Sequence, residues 1–422
     1  FSSLERFIFS ASVTQRNFRG KGQELRTSVN YSNYSKSVEV GFTEPYLFDK
    51  NIALGGDIYR RDLNSFNYLN SGNRNTTYEQ TTTGFQIRAG VPLTEYTSLA
   101  LRYSLNFDDV TLGSQYYSDP DGTGPLPSQC DPLLAGRYLC EAIGKRTTSS
   151  IGYSWIYDTR DNRIRPTRGN NVVVSQDFAG LGGSVKYIRS RINAGKWFPL
   201  GSGFVFSVTG EGGYIFSFEK NNGGQEKVRL IDRFFLGEPQ LRGFDIRGVG
   251  PRVVRYFLQD DGTNTGTFVR TNQRSDDALG GKLYYLAHAE IEIPLGSGAR
   301  ELGLRPSVFV DVGAVGNIKR PSITSHYAGL CQDNTSGART PAISDGVCPN
   351  TTGNATTPSH TLVVGPFEEE YLGDSLSPRL SVGFGVNWNS PFGPFRIDIA
   401  KALLKEPGDD TKLITFNIGT QF

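Results

Sequence analysis

Seven side chains in this 422-residue chain suit metal ligation or nucleophilic and acid–base chemistry near neutral pH: Cys130, Cys140, Cys331 and Cys348, with His288, His326 and His360. The cysteines fall as two local pairs, each in a polar stretch rich in Gly, Pro, Asp and Ser, and neither has the CxxC spacing of a zinc site. Three pairings are possible in principle. The local one, Cys130 with Cys140 and Cys331 with Cys348, closes two short loops and implies an oxidising compartment. The histidines come with no serine elbow and no metal spacing. Neither cofactor nor metal is expected.

A different chemistry is offered by "LRGFDIRGVGPR", Leu241 to Arg252, where three arginines alternate with three glycines. A guanidinium presents a fork of donors that can bridge two carboxylates. Glycines at 243, 248 and 250 let the backbone approach a neighbouring surface closely. On local composition alone the stretch is a solvated surface turn.

The elements around it read as strands. In "RFIFSASVTQR" Phe7, Phe9, Ala11 and Val13 share one face, while Ser10, Ser12 and Thr14 share the other. The same period recurs in "LRTSVNYS", "GFQIRAGV", "LALRYSLNF", "SSIGYSWIYD", "AHAEIEIPL", "LSVGFGVNW" and "ITFNIGTQF". Arg88, Arg102, Arg189, Arg191, Glu290 and Asp398 fall mid-strand opposite continuous apolar rows. Segments of ~10 residues with one apolar and one charged face predict an all-β, transmembrane antiparallel β-barrel, lipid outside and water inside. A soluble sandwich or propeller is the weaker alternative. The 50 glycines and 47 Phe and Tyr residues suit β architecture, and the net charge of +2 gives no field for nucleic acid. Mean hydropathy of −0.36 agrees, since only half of each strand need be apolar. No apolar run is long enough to cross a bilayer as a helix.

Short Pro-containing turns ("EPYLF", "GVPLTEY", "RIRPTRG", "WFPLGSG", "EIPLGSG", "NSPFGPF") share one end. The three longest connections, roughly 113–146, 217–280 and 316–377, share the other and hold all four cysteines. Barrels of this kind have short periplasmic turns and long external loops, which assigns the sides. The 217–280 connection, ~60 residues without strong secondary-structure signals, is long enough to be functional.

Several segments, in order from first to last, carry a resemblance: "QRNFRGKGQ", "FTEPYLF", "YDTRDNRIRPTRG", "LRGFDIRGVGP", "LGGKLYYLAHAEIEIPL", "VFVDVGAV" and "WNSPFGPFRIDIA". Together they resemble the barrel of the BamA family of bacterial outer-membrane insertases. That resemblance implies a function without bond chemistry. Such a protein folds and inserts nascent outer-membrane proteins into the lipid bilayer, as the core of a machine with periplasmic accessory lipoproteins. It implies sixteen strands and periplasmic POTRA domains ahead of the barrel. The family's motif at the tip of the sixth external loop, which folds back into the lumen, matches Arg242, Gly243 and Phe244. Its inner-wall partners match Glu290 and Asp311, both lumen-facing in the alternation. The last strand, Lys412 to Phe422 with Phe416, Gly419 and Phe422, would form a lateral seam with the first.

The strand count backwards from Phe422 gives ~15, with the first near Arg6 to Gln15. The chain therefore reads as residues 1–422 of a barrel domain lacking most of strand one and the POTRA domains, and the absence of Met agrees. Water in the lumen is expected to screen the Arg242 pairs, leaving them ~1 kcal/mol of stability. The competing functions are a related secretion or assembly barrel of the same superfamily, a passive porin, and an enzyme built on His288 beside Glu290.

Overall fold

Period-2 alternation becomes a fifteen-strand antiparallel wall. Its strands are β1 Ile8–Phe18, β2 Gln23–Ser32, β3 Ser35–Glu44, β4 Ala53–Leu69, β5 Asn73–Pro92, β6 Thr97–Leu112, β7 Gly144–Asp158 and β8 Gly169–Ala179. They continue as β9 Tyr187–Gly201, β10 Phe204–Ser217, β11 Leu283–Glu292, β12 Leu304–Gly316, β13 Arg379–Ser390, β14 Gly393–Leu404 and β15 Ile414–Ile418. Each pairs with its neighbours in chain order. This computed structural model describes all residues except 1–6, 70–72, 114–115, 119–128, 221–225, 261–267, 297–302, 324, 327–328, 338, 343–346, 352–358, 391–392 and 419–422.

The apolar rows face outwards and stay uncovered. Phe9 is 54% exposed, Ile58 69%, Ile192 51% and Ile399 49%. In water so much apolar surface would be costly at ~25 cal/mol per Å²; against hydrocarbon it is the stabilising face. The inward rows hold the charges and pair them: Arg88 with Asp57 at 2.6 Å, and Arg102 with Asp177 at 2.6 Å. No helix among the described residues is long and apolar enough to cross a membrane.

The 217–280 connection departs from its structureless expectation. It contains strands Arg252–Asp260 and Phe268–Ala278, paired as a hairpin, and the first also pairs with Phe367–Leu372 from the 316–377 connection. Period 2 was invisible here for a physical reason. Val253 and Val254, consecutive residues, are both 1% exposed because both faces are covered, whereas "FVRTNQRSDDA" is polar along most of its length and held by its ladder. Rooted between β10 and β11, the hairpin reaches β4 at Ser275↔Leu69 and Asp276↔Tyr68, so the wall must curl round on itself.

Two one-turn helices, Pro132–Ala135 and Arg137–Cys140, complete the cover at the long-loop end. Asp131 caps the first by accepting from the Leu133 N–H at 2.9 Å. Arg255 of the hairpin donates to the Leu133 and Leu134 carbonyls and to Glu369, and Tyr138 donates to Asp277. Three connections are thus tied together by side chains. Disulfides join Cys130 to Cys140 and Cys331 to Cys348.

The cover is lopsided. On β12 the inward residues Ser307, Phe309, Asp311, Gly313 and Val315 are buried beneath the folded-in connection, but β1 is exposed on both faces from Phe9 to Asn17.

Candidate functional site

The ladder between β11 and β12 sets His288 opposite Asp311 and Glu290 opposite Phe309. Since side chains alternate faces, these four form one inward patch. Arg242 lies on it. Its Nε and Nη2 donate to the two Asp311 carboxylate oxygens at 2.7 and 2.6 Å, and Nη1 donates to Glu290 at 2.9 Å. The guanidinium carbon stands 3.3 Å from the Phe309 ring centroid, a cation–π contact beneath a bidentate ion pair. The His288 ring nitrogen Nδ1 lies 2.9 Å from Asp311, and Arg396 joins Asp398 at 2.8 Å and Glu290 at 3.6 Å.

The expectation of a water-screened pair is overturned: Arg242 is 7% exposed and Asp311 0%. The reason is the loop itself, which brings Leu241 and Phe244, both 0% exposed, against Leu236, Leu286 and Val315 and shuts water away from its own arginine.

Gly243 has φ +87°, a region that L side chains rarely adopt, and a Cβ there would meet the Ser381 and Ala400 Cβ atoms at 3.0 and 3.4 Å. Only glycine both turns there and lets Arg242 face the wall. The Ser381 hydroxyl donates to the Arg242 carbonyl at 2.5 Å. Phe244 bridges to Thr411 in the connection between β14 and β15. Phe416 lies on β15, its ring 6.1 Å from Phe395 on β14. Gly419 and Phe422 lie outside the described residues.

That β14–β15 connection anchors the loop a second time, through residues that sequence reasoning missed. Arg252, 1% exposed, donates through Nη1 to Asp276 at 2.8 Å and Asp410 at 2.7 Å, and through Nη2 to the Arg247 carbonyl. Arg379 pairs with Asp409 at 2.9 Å, both side chains 0% exposed, and donates to the Gly373, Ser375 and Ser377 carbonyls. Lys412 reaches Glu238 at 2.8 Å. The adjacent acids of "GDD" were a visible signal, but their partners lie 158 and 30 residues away. Burial, and then the neighbouring Asp410 carboxylate, push the Asp276 pKa up to about 7 against the pull of Arg252.

Among the described residues no group of three or more His, Cys, Asp or Glu side chains could hold a metal ion. Two buried guanidinium clamps fix a long loop to one side of the wall.

The model of the Omp85 superfamily domain matches residues 17–422. The chain is 27% identical over 417 residues to the outer membrane protein assembly factor BamA of Neorickettsia risticii, covering 99% of this chain and 43% of that protein. It is 25% identical to the outer membrane protein assembly factor BamA of Neisseria meningitidis, covering 98% and 45%. The chain thus spans less than half the length of these curated relatives. The crystal structure of BamA from Haemophilus ducreyi lacking POTRA domains 1–3 superposes with a TM-score of 0.67 at 22% identity, over 100% of this chain and 69% of that one. This likeness shows a shared barrel fold.

Proposed function

The chain belongs to the Omp85 superfamily, and from that premise we propose that it is the barrel of an outer-membrane assembly factor which folds and inserts other β-barrel proteins through a seam between its first and last strands. It is an outer-membrane protein. Its lipid-facing apolar rows meet the bilayer, and the partners are nascent outer-membrane proteins, with periplasmic accessory lipoproteins serving the machine. The domain reading is part of the same proposal: residues 1–422 form the barrel, 217–280 the motif loop, and POTRA domains precede it in the intact protein.

One observation carries the seam. Among the described residues β1 pairs in the wall only with β2, and β15 only with β14. Unpaired N–H and C=O groups facing hydrocarbon cost several kcal/mol each, so such edges call for a partner. Fifteen antiparallel strands leave β1 and β15 pointing the same way, and antiparallel closure takes one further strand, from this protein or from a client. The Arg242 clamp supports this reading by holding the loop on β11–β14 and leaving the strands at the other edge uncovered. In this role Arg242, Gly243, Phe244, Glu290 and Asp311 position the loop and carry out no bond chemistry.

Two experiments test the proposal. Depleting the intact protein in its host lowers assembled porin in the outer membrane; unchanged porin levels with a small-solute conductance lost instead would establish a passive pore. For the seam, Ile414→Cys on the exposed face of β15 forms a disulfide adduct with cysteine-bearing nascent barrel strands, whereas Ile192→Cys in mid-wall does not. Equal adducts at both positions would remove the seam.

A further inference from the structure

At the long-loop end a cleft of about 430 Å³ opens between residues 138–146, 184–186, 218–220, 226–233 and 318–322. That volume falls within the ~300–1,000 Å³ of small-ligand sites. Eight of its twenty-one lining residues are Lys or Arg and three are Glu, against 44 and 42 for cations and acids in the whole chain. The acids are already engaged: Glu219 with Arg146 at 3.4 Å, and Glu226 with Lys282 at 3.1 Å and the Lys319 N–H at 2.7 Å, while Glu141 also has a partner. A cationic surplus therefore faces the cleft.

Two of these cations are set into its floor. Arg229 is held through Nε by Asp232 at 2.6 Å, but its Nη1 is buried with no hydrogen-bond partner among the described residues. Among the described residues Arg233 donates only to the Val228 and Leu279 carbonyls, at 2.9 and 3.1 Å, and forms no ion pair with a carboxylate. Burial pulls the Arg233 pKa below its ordinary value, a cost that an anion beside it would relieve.

The rim says where the anion comes from. Phe218 lines the cleft and is 44% exposed, in edge contact with Phe216 at 5.2 Å and beside Phe178 at 6.3 Å. Phe216 and Phe178 are themselves exposed. Exposed aromatics topped by a surplus of cations are the pattern of a membrane interface, with rings at headgroup depth and ammonium groups at phosphate height.

We propose that this cleft binds the phosphate of a lipid headgroup in the leaflet around the long-loop end. Lys227, Lys319 and Arg320, all exposed, supply the outer charges, and Arg229 and Arg233 the inner ones. Lysines meet phosphate as point charges, so the site selects charge and depth more than shape.

The test places the full chain in dodecyl maltoside micelles, which carry no phosphate, and titrates in phosphatidic acid, counting retained lipids by native mass spectrometry; sodium pyrophosphate in solution is the parallel arm. Saturable retention of phosphatidic acid is expected, weakened at least about tenfold by Lys227→Glu/Lys319→Glu/Arg320→Glu, as reversal of several interfacial cations requires. The conservative pair Lys319→Arg/Arg320→Lys should keep it, and so should Lys196→Glu at the short-turn end. An unchanged unfolding midpoint and intact disulfides certify the fold of each variant, and a triple variant that fails this check is replaced by Lys227→Gln/Arg320→Gln under the same criterion. Saturable binding of pyrophosphate without phosphatidic acid would overturn the lipid assignment. No saturable binding of either, or retention indifferent to the charge reversals, would overturn the site.

Discussion

Asp311 is wholly buried, and Arg242 supplies both of its oxygens with donors. Removing one partner of such a pair strands the other, at a cost of about 3–5 kcal/mol. Arg242→Ala should therefore lower the unfolding free energy of the purified barrel, read from its urea transition, by that amount and impair assembly of other barrels in a complementation assay. Arg242→Lys should fall between, since an ammonium lacks the fork that reaches Asp311 and Glu290 together. The Arg252–Asp276–Asp410 cluster makes a prediction in pH. With a folded-state value of about 7 for Asp276, above its ordinary unfolded one, its contribution is full below the ordinary carboxylate range and is lost as pH rises from there to about 7. Unfolding midpoints should drop between about pH 4 and pH 7, and Asp276→Asn should flatten that drop. The sequence showed Arg242, Glu290 and Asp311, because a motif and an alternation pointed to them. It hid Asp276, Asp409 and Asp410, because what makes them matter is burial against partners 24 to 158 residues distant.

At the scale of elements, the wall strands were legible because each has one lipid face and one inner face, which is what period 2 records. The 252–278 hairpin was not, because both sides of its first strand are covered. The cover over the long-loop end is cross-linked at two places, with Cys130–Cys140 closing a separation of 10 and Cys331–Cys348 one of 17. Loops near this length gain roughly 3 kcal/mol from closure. Mild reduction should therefore loosen the cover before the wall, seen as earlier protease cleavage in 113–146 and 316–377 with the barrel's far-UV signal intact. Gly243→Ala belongs to this scale too, because its φ and its approach to Ser381 and Ala400 decide whether the loop seats at all. It should cost about 1–3 kcal/mol and displace the Arg242 side chain, which a structure of the variant would show.

For the whole molecule, outward apolar rows, an inward charged face and long connections at one end made the barrel readable from sequence. The unequal filling of the lumen was not readable, because alternation is the same in a covered strand and an open one. That inequality has a mechanical consequence. Buried contacts stiffen β11–β14 from within, while β1, exposed on both faces, has among the described residues only its ladder to β2. The barrel is a spring clamped along one flank. A load applied at the β1/β15 edge should bend the free flank and leave the clamped one standing, so opening is one-sided. Amide exchange should follow the same gradient, fastest in β1–β3 and slowest in β11–β13, and Arg242→Ala should narrow the difference by softening the clamped side.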